Sequence, residues 1–257
     1  MEYSYIIAGF IVGFLVGLTG VGGGSLMTPI LLLIFHIKPA VAVGTDLLYA
    51  SITKTAGVMA HGKLGNIDWS IVKLLALGSV PASALTILFL TSINLESTHA
   101  IETIKFWLGV ALIITSGAVL FRGKLMRLVK NDSWISEQYV KPSTVVLGVI
   151  LGVLVTLTSV GAGALGVTAL IILYPHEKIT TIIGTDIAHA VPLTLVAGLG
   201  HATLGTINYP LLGTLLIGSI PGIYLGSHMS SRIAEHWLRI ALACILIFVG
   251  LKLVKLV

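Results

Sequence analysis

The sequence predicts an all-α polytopic membrane protein made of two homologous halves. Each half has about four helical segments, and the first helix of each is broken at a glycine-rich segment. Three observations carry this expectation. The 257 residues are 56% hydrophobic and 10% charged, with a mean hydropathy of +1.05, whereas a soluble domain is about a quarter charged. Apolar runs of ~20 residues or more, enough to cross a bilayer, fill most of the chain. Finally, LTGVGGGSLMTP from Leu18 returns as LTSVGAGALGVT from Leu157.

The apolar runs follow one another as 3–36, 39–60, 69–93, 100–121, 143–174, 178–201, 207–229 and 236–255. Polar or turn-forming joints separate them: HIKP, HGKLGNID, NLESTH, a basic stretch, YPHEK, HATLGTINYP and SSRIAEH. The first and fifth runs are longer than one crossing needs, and each contains a glycine cluster. This divides the chain into a first membrane repeat (1–121), a basic cytoplasmic connection (122–142) and a second membrane repeat (143–257). The N-terminal MEYSY lacks the basic start of a cleaved signal, and its apolar run is too long for one, so the segment is expected to be retained.

The net charge of +5 does not imply nucleic acid. Arg122, Lys124, Arg127, Lys130 and Lys141 crowd one connection, and basic loops stay on the cytoplasmic side during insertion. Contact with anionic lipid is the other reading of that stretch. The single cysteine, Cys244, excludes an intramolecular disulfide and a cysteine-rich metal site. No cofactor or metal ligand set is expected.

The repeat is traceable by offset. Residues 13–31 match 152–170 at ten of nineteen positions when shifted by 139. Shifted by 140, GTD at Gly44 recurs at Gly184, the H..LG.I pattern at His61 recurs at His201, and GSVP at Gly78 recurs as GSIP at Gly218. Glycine-interrupted segments at corresponding places in two halves point to a secondary transporter and its binding site. Broken backbone survives at membrane depth only against protein or a water-filled cavity. The breaks at Gly22-Gly23-Gly24 and Gly161-Ala162-Gly163 would start half-helices at Ser25 and Ala164, whose free N–H groups favour an anion. Thr19, Ser25, Thr28, Thr158 and Ser159 add hydroxyl donors. The alternative is that these glycines only let helices pack closely.

Asp46 and Asp186 fall within the second helix of each half, where an ionisable group is expensive and usually functional. Each would carry a coupling proton, coordinate a cation, or accept hydrogen bonds from the unwound backbone of the preceding break. Lys54 lies two turns beyond Asp46 and has Thr194 as its counterpart; it would neutralise Asp46, bind an anionic substrate, or snorkel to the interface. His189 takes the place of Tyr49 near Asp186, while His61 and His201 sit beside loops as interfacial residues. GAGALG from Gly161, with Asp186 twenty residues after Gly166, fits a dinucleotide fingerprint only superficially. That motif needs a strand in a soluble βαβ unit, and Met27 stands in place of Gly166 in the first half. No nucleophile–base pair appears, so an enzyme is not expected.

The segments GFLVGLTGVGGGSLMTPILLL, AVGTD, HGKLGNIDW and GSVP resemble the TauE/SafE family of sulfite and organosulfur-anion exporters. The likeness covers both halves. Gly17, Gly20, Gly22, Gly23, Gly24 and Pro29 follow the family's glycine-rich segment, and Gly65-Asn66-Ile67-Asp68 its loop; in the second half Thr156, Ser159, Ala162 and Thr168 replace Gly17, Gly20, Gly23 and Pro29. The resemblance implies a multi-pass transporter in the inner membrane of a prokaryote, carrying a small anion such as sulfite or a sulfonate. An anion channel, or a transporter of a small carboxylate, is the alternative. The expected site comprises Thr19, Gly22, Gly23, Gly24, Ser25, Thr28, Lys54, Thr158, Ser159, Gly161 and Gly163 for substrate. Asp46 and Asp186 would couple transport to protons, with the lipid bilayer as the remaining partner.

Overall fold

The computed structural model describes residues 2–19, 24–129, 135–229 and 235–255. Among these, ten helices follow in order: α1 (Glu2–Thr19), α2 (Gly24–Leu33), α3 (Pro39–Lys63), α4 (Trp69–Thr91), α5 (Thr98–Val129), α6 (Glu137–Thr158), α7 (Ala164–Leu173), α8 (Ile179–Thr203), α9 (Tyr209–Met229) and α10 (Glu235–Lys255). No strand occurs among the described residues, and five helices are long and apolar enough to cross a membrane. The chain is an all-α polytopic membrane protein. The second over-long run divides at 159–163, and the first supplies α1 and α2, on either side of residues 20–23, which lie outside the described residues.

The polar connection is shorter than its composition suggests. Helix α5 continues through Arg122, Lys124 and Arg127, and Lys141 already lies on α6. Arginine and lysine are good helix formers, so a run of them does not end a helix. Arg122 in fact points inward and is buried.

Close contacts at glycines fix the directions of the helices. Gly9 abuts Leu215 and Gly13 abuts Ser219, so α1 runs alongside α9 in the same direction. Gly148 abuts Leu75 and Gly152 abuts Ser79, so α6 runs with α4. By contrast Gly57 meets Ile187 and Gly198 meets Leu48, so α3 and α8 are antiparallel. The Asn208 amide donates to Thr45 Oγ1 (3.1 Å) and Ser219 faces Tyr49, which aligns α9 with α3. The Asp68 amide donates to Thr185 Oγ1 (2.9 Å) and Ser79 meets His189 (2.8 Å), which aligns α4 with α8. Helices α1 and α3 therefore point the same way, as do α6 and α8. The short α2 and α7 between them must run back, giving two re-entrant hairpins that enter from opposite ends.

Small residues let the backbones approach. A Cβ on Gly9 would sit 2.3 Å from the Leu215 carbonyl oxygen, and one on Gly78 2.1 Å from that of Val145. Lipid tails are as apolar as leucine, so dispersion contacts between close backbones, not apolar burial alone, hold such pairs. Leu31, Leu108, Leu112, Leu215 and Leu246 fill the largest apolar cluster, between α2, α5, α9 and α10.

Candidate functional site

The second break is built by its sequence. Ser159 ends α6 in the left-handed region (φ 60), and Gly161 and Gly163 adopt φ +129 and +121, conformations that glycine reaches without a Cβ penalty. Thr158 ties the break from within. Its hydroxyl donates to the Leu154 carbonyl (2.7 Å) and accepts from the Val160 amide (3.1 Å).

Asp46 and Asp186 are fully buried, 0% exposed, but they are not side by side. From the α3–α8 register, Asp186 lies about 12 residues of helix beyond Asp46, roughly 18 Å along the axis at 1.5 Å per residue. Each sits about two turns from its own end of the bundle. Asp46 Oδ2 accepts from the Thr28 hydroxyl (2.5 Å) and the Thr28 amide (3.2 Å) on α2, and Ser159 lies against the same carboxylate. Asp186 faces the Gly163 amide and crowds Gly166: a Cβ there would fall 1.9 Å from Asp186 Oδ1. Gly166 is thus a space for a carboxylate, which accounts for a glycine where the first half has Met27.

Backbone and hydroxyl donors at the two re-entrant helices therefore meet the protein's own carboxylates. Thr28 bonds Asp46 directly, the Gly163 amide faces Asp186, whose two oxygens have no hydrogen-bond partner among the described residues, and Thr158 is spent inside its loop.

Between the two carboxylates lies Lys54, 6% exposed, whose Nζ donates to the Ala162 carbonyl of the break (3.2 Å). An ammonium has three donors, and this is its one hydrogen bond among the described residues. Both carboxylates act on it through space, Asp186 more strongly than Asp46. The Arg122 guanidinium, on α5, approaches Asp186 as well.

Of the expected substrate residues, Thr28, Lys54, Ser159 and Gly163 lie against this axis, whereas Gly161 packs on Leu151, Leu154 and Val155. Gly22 and Gly23 lie outside the described residues; Thr19, Gly24 and Ser25 are placed by backbone only, the last two opening α2. His201 is a structural residue. It is 2% exposed, with Nδ1 on Thr206 Oγ1 (2.8 Å) and Nε2 on the Thr156 carbonyl (3.0 Å). Sequence reasoning left out Arg122, Ser79, Ser219 and Gly166. Ser79 and Ser219 belong to the repeated GSVP and GSIP segments, so a signal is present, but it marks the repeat and not the chemistry.

Residues 5–253 match the family described as sulfite exporter TauE/SafE. The chain is 42% identical to the probable membrane transporter protein YjnA of Bacillus subtilis, covering 99% of this chain and 100% of that one. It is 32% identical to a probable membrane transporter protein of Methanocaldococcus jannaschii, covering 96% and 92%. YdhB of Bacillus subtilis, also a probable membrane transporter protein, is 27% identical over 92% of this chain and 94% of its own. No solved structure matches the chain. With its all-α membrane fold, paired re-entrant hairpins and a match over nearly its whole length, the chain belongs to the TauE/SafE family of membrane transporters.

Proposed function

We propose that this protein is a secondary transporter that carries a small anion, sulfite or a related sulfonate, across the inner membrane together with protons. The observation that carries the reading is Lys54, a buried ammonium midway between two buried carboxylates, bonded to the carbonyl of a broken helix. A buried cation is tolerated only when paired, and here its partners are groups that a proton can neutralise.

In the ionised state Asp46 and Asp186 compete with any incoming anion for Lys54, for the Thr28 donors and for the Gly163 amide. A proton arriving on either carboxylate removes that competitor and leaves the cation and the helix-end N–H groups to the substrate. The anion and the proton then enter and leave together, which couples the two flows. Because the carboxylates lie toward opposite ends of the bundle, each would take its proton from its own side. The end bearing Lys63, Lys73, Lys124, Arg127, Lys141, Lys178 and Arg239 faces the cytoplasm, and that bearing Lys38, Lys105 and Lys252 faces away, by the positive-inside rule. Asp186 is then the cytoplasm-proximal carboxylate. The match of residues 5–253 to a family described as sulfite exporters supports the choice of anion.

The test is sulfite uptake into proteoliposomes under an imposed pH gradient, comparing wild type with the Asp46→Asn, Asp186→Asn double variant. Gradient-driven uptake is expected to vanish in the variant. Full pH-driven uptake without either carboxylate would contradict proton coupling at these residues.

A further inference from the structure

His189 stands at the centre of the bundle and has no part in the scheme above. It is 0% exposed, one turn beyond Asp186 on α8. In the antiparallel register it falls level with the middle of α3, within about two residues of Lys54, and the charge of Lys54 acts on it. Its Nε2 lies 2.8 Å from Ser79 Oγ, and its Nδ1 has no hydrogen-bond partner among the described residues.

The tautomer follows from Ser79. The Ser79 hydroxyl is fully buried, and His189 Nε2 is its one hydrogen-bond partner among the described residues. A buried hydroxyl that donated to nothing would lose an interaction worth about 1 kcal/mol. The arrangement that satisfies it has Ser79 donating to Nε2, which puts the imidazole proton on Nδ1. The ring then presents an N–H donor in a buried setting, at the same depth as an ammonium that makes one hydrogen bond among the described residues. A buried donor without an acceptor is unfavourable in the absence of ligand, and an oxyanion provides that acceptor. The equivalent position in the other half is Tyr49, which lies near Ser219 with no hydrogen bond between the two side chains. That phenol also offers an O–H, but it lies about five residues of helix from Lys54, roughly 8 Å along the axis.

Resting on the anion-transport reading, we propose that neutral His189 binds the carried oxyanion through Nδ1–H, opposite the Lys54 ammonium, and that Ser79 fixes the required tautomer. Two donors on facing helices grip two oxygens of a trigonal or tetrahedral oxyanion. A halide, with one spherical acceptor and no fixed oxygen spacing, gains less from the pair, so the pair selects for oxyanions.

The experiment is sulfite counterflow in proteoliposomes without a pH gradient, for wild type, His189→Ala, His189→Gln and Ser79→Ala. The KM is expected to rise 10-fold or more in His189→Ala, with the maximal rate changed less. Partial recovery is expected in His189→Gln, whose amide restores an N–H donor, and an intermediate rise in Ser79→Ala. Nitrogen NMR of histidine-labelled wild-type protein supplies a second readout that needs no variant to fold. A proton on His189 Nδ1 whose signal shifts with added sulfite supports the proposal, and a proton on Nε2 overturns it. An unchanged KM in His189→Ala beside an active wild type overturns the proposal alone. Absence of counterflow in wild type overturns the sulfite reading as well.

Discussion

At Gly166 a single hydrogen atom separates a folded site from a clash. A methyl group there would meet Asp186 Oδ1 at 1.9 Å, between two packed helices. Gly166→Ala is expected to lower stability by about 1–3 kcal/mol, as overpacking of a core does. Shortening the partner in Gly166→Ala, Asp186→Ser should return much of that loss. Thermal unfolding in detergent of the two single variants and the double variant measures the coupling, and strict additivity would show that the contact is not responsible. Outside the membrane, Asp68 caps α4 by accepting from the Ser70 amide (2.8 Å) and the Ile71 amide (3.3 Å). Partial burial pushes its pKa up, but the bonds from Ser70 and Ile71 outweigh this and hold the carboxyl below the ordinary carboxylate value. A depressed folded pKa contributes stability above the unfolded value and loses it as pH falls through the folded one. Asp68→Ala should therefore cost about 1 kcal/mol near neutral pH, less in high salt. The gap to wild type should close as the pH drops below the usual carboxylate range.

Helix breaks are the most legible elements, because a glycine cluster would weaken an over-long apolar run that crossed the bilayer unbroken. Residues 159–163 break where GAGALG and the preceding Ser159 predict, with Gly161 and Gly163 at positive φ. Gly161→Ala is strained whatever space surrounds it, so a loss of about 1–3 kcal/mol is expected at this position, read as a drop in unfolding temperature. Helix ends in the basic stretch are less legible, since charge says nothing against a helix and Arg122 is drawn inward by the carboxylate on α8. What the breaks bind is also out of reach. Sequence places Thr28 and Asp46 eighteen residues apart, and only the re-entrant return of α2 brings the hydroxyl onto the carboxylate. Recurrence of GTD and GSVP reads as a repeat, whereas the pairing of Ser79 with His189 across 110 residues depends on α4 lying against α8.

For the whole molecule, a hydropathy plot gives helices but not their directions. A pattern of four apolar runs per half fits either parallel or inverted halves. The choice depends on whether each broken run crosses or returns, and that is decided by packing. Antiparallel α3 and α8 occupy equivalent places under the 140-residue offset, as do the bonds from Asn208 to Thr45 and from Asp68 to Thr185. We infer that the chain is an inverted duplication. Single cysteines in a Cys244→Ser background check this: a thiol at Asn66 or His176 should react from the cytoplasmic face, and one at Asn94 or Asn208 from the opposite face. Labelling of Asn66 and Asn208 from the same face would refute the inverted arrangement.

In the proposed transport cycle, anion movement is tied to protons through the buried Asp46–Lys54–Asp186 axis. The most direct test of this coupling is to follow sulfite and pH together in proteoliposomes holding the wild-type protein, first with sulfite equal on both sides and a pH gradient imposed. Saturable sulfite accumulation on the alkaline side, where the anion arrives with a proton and collapses the gradient as it moves, is the expected result. Sulfite flux that leaves the gradient untouched, or that rises without saturation as through a channel, would contradict it.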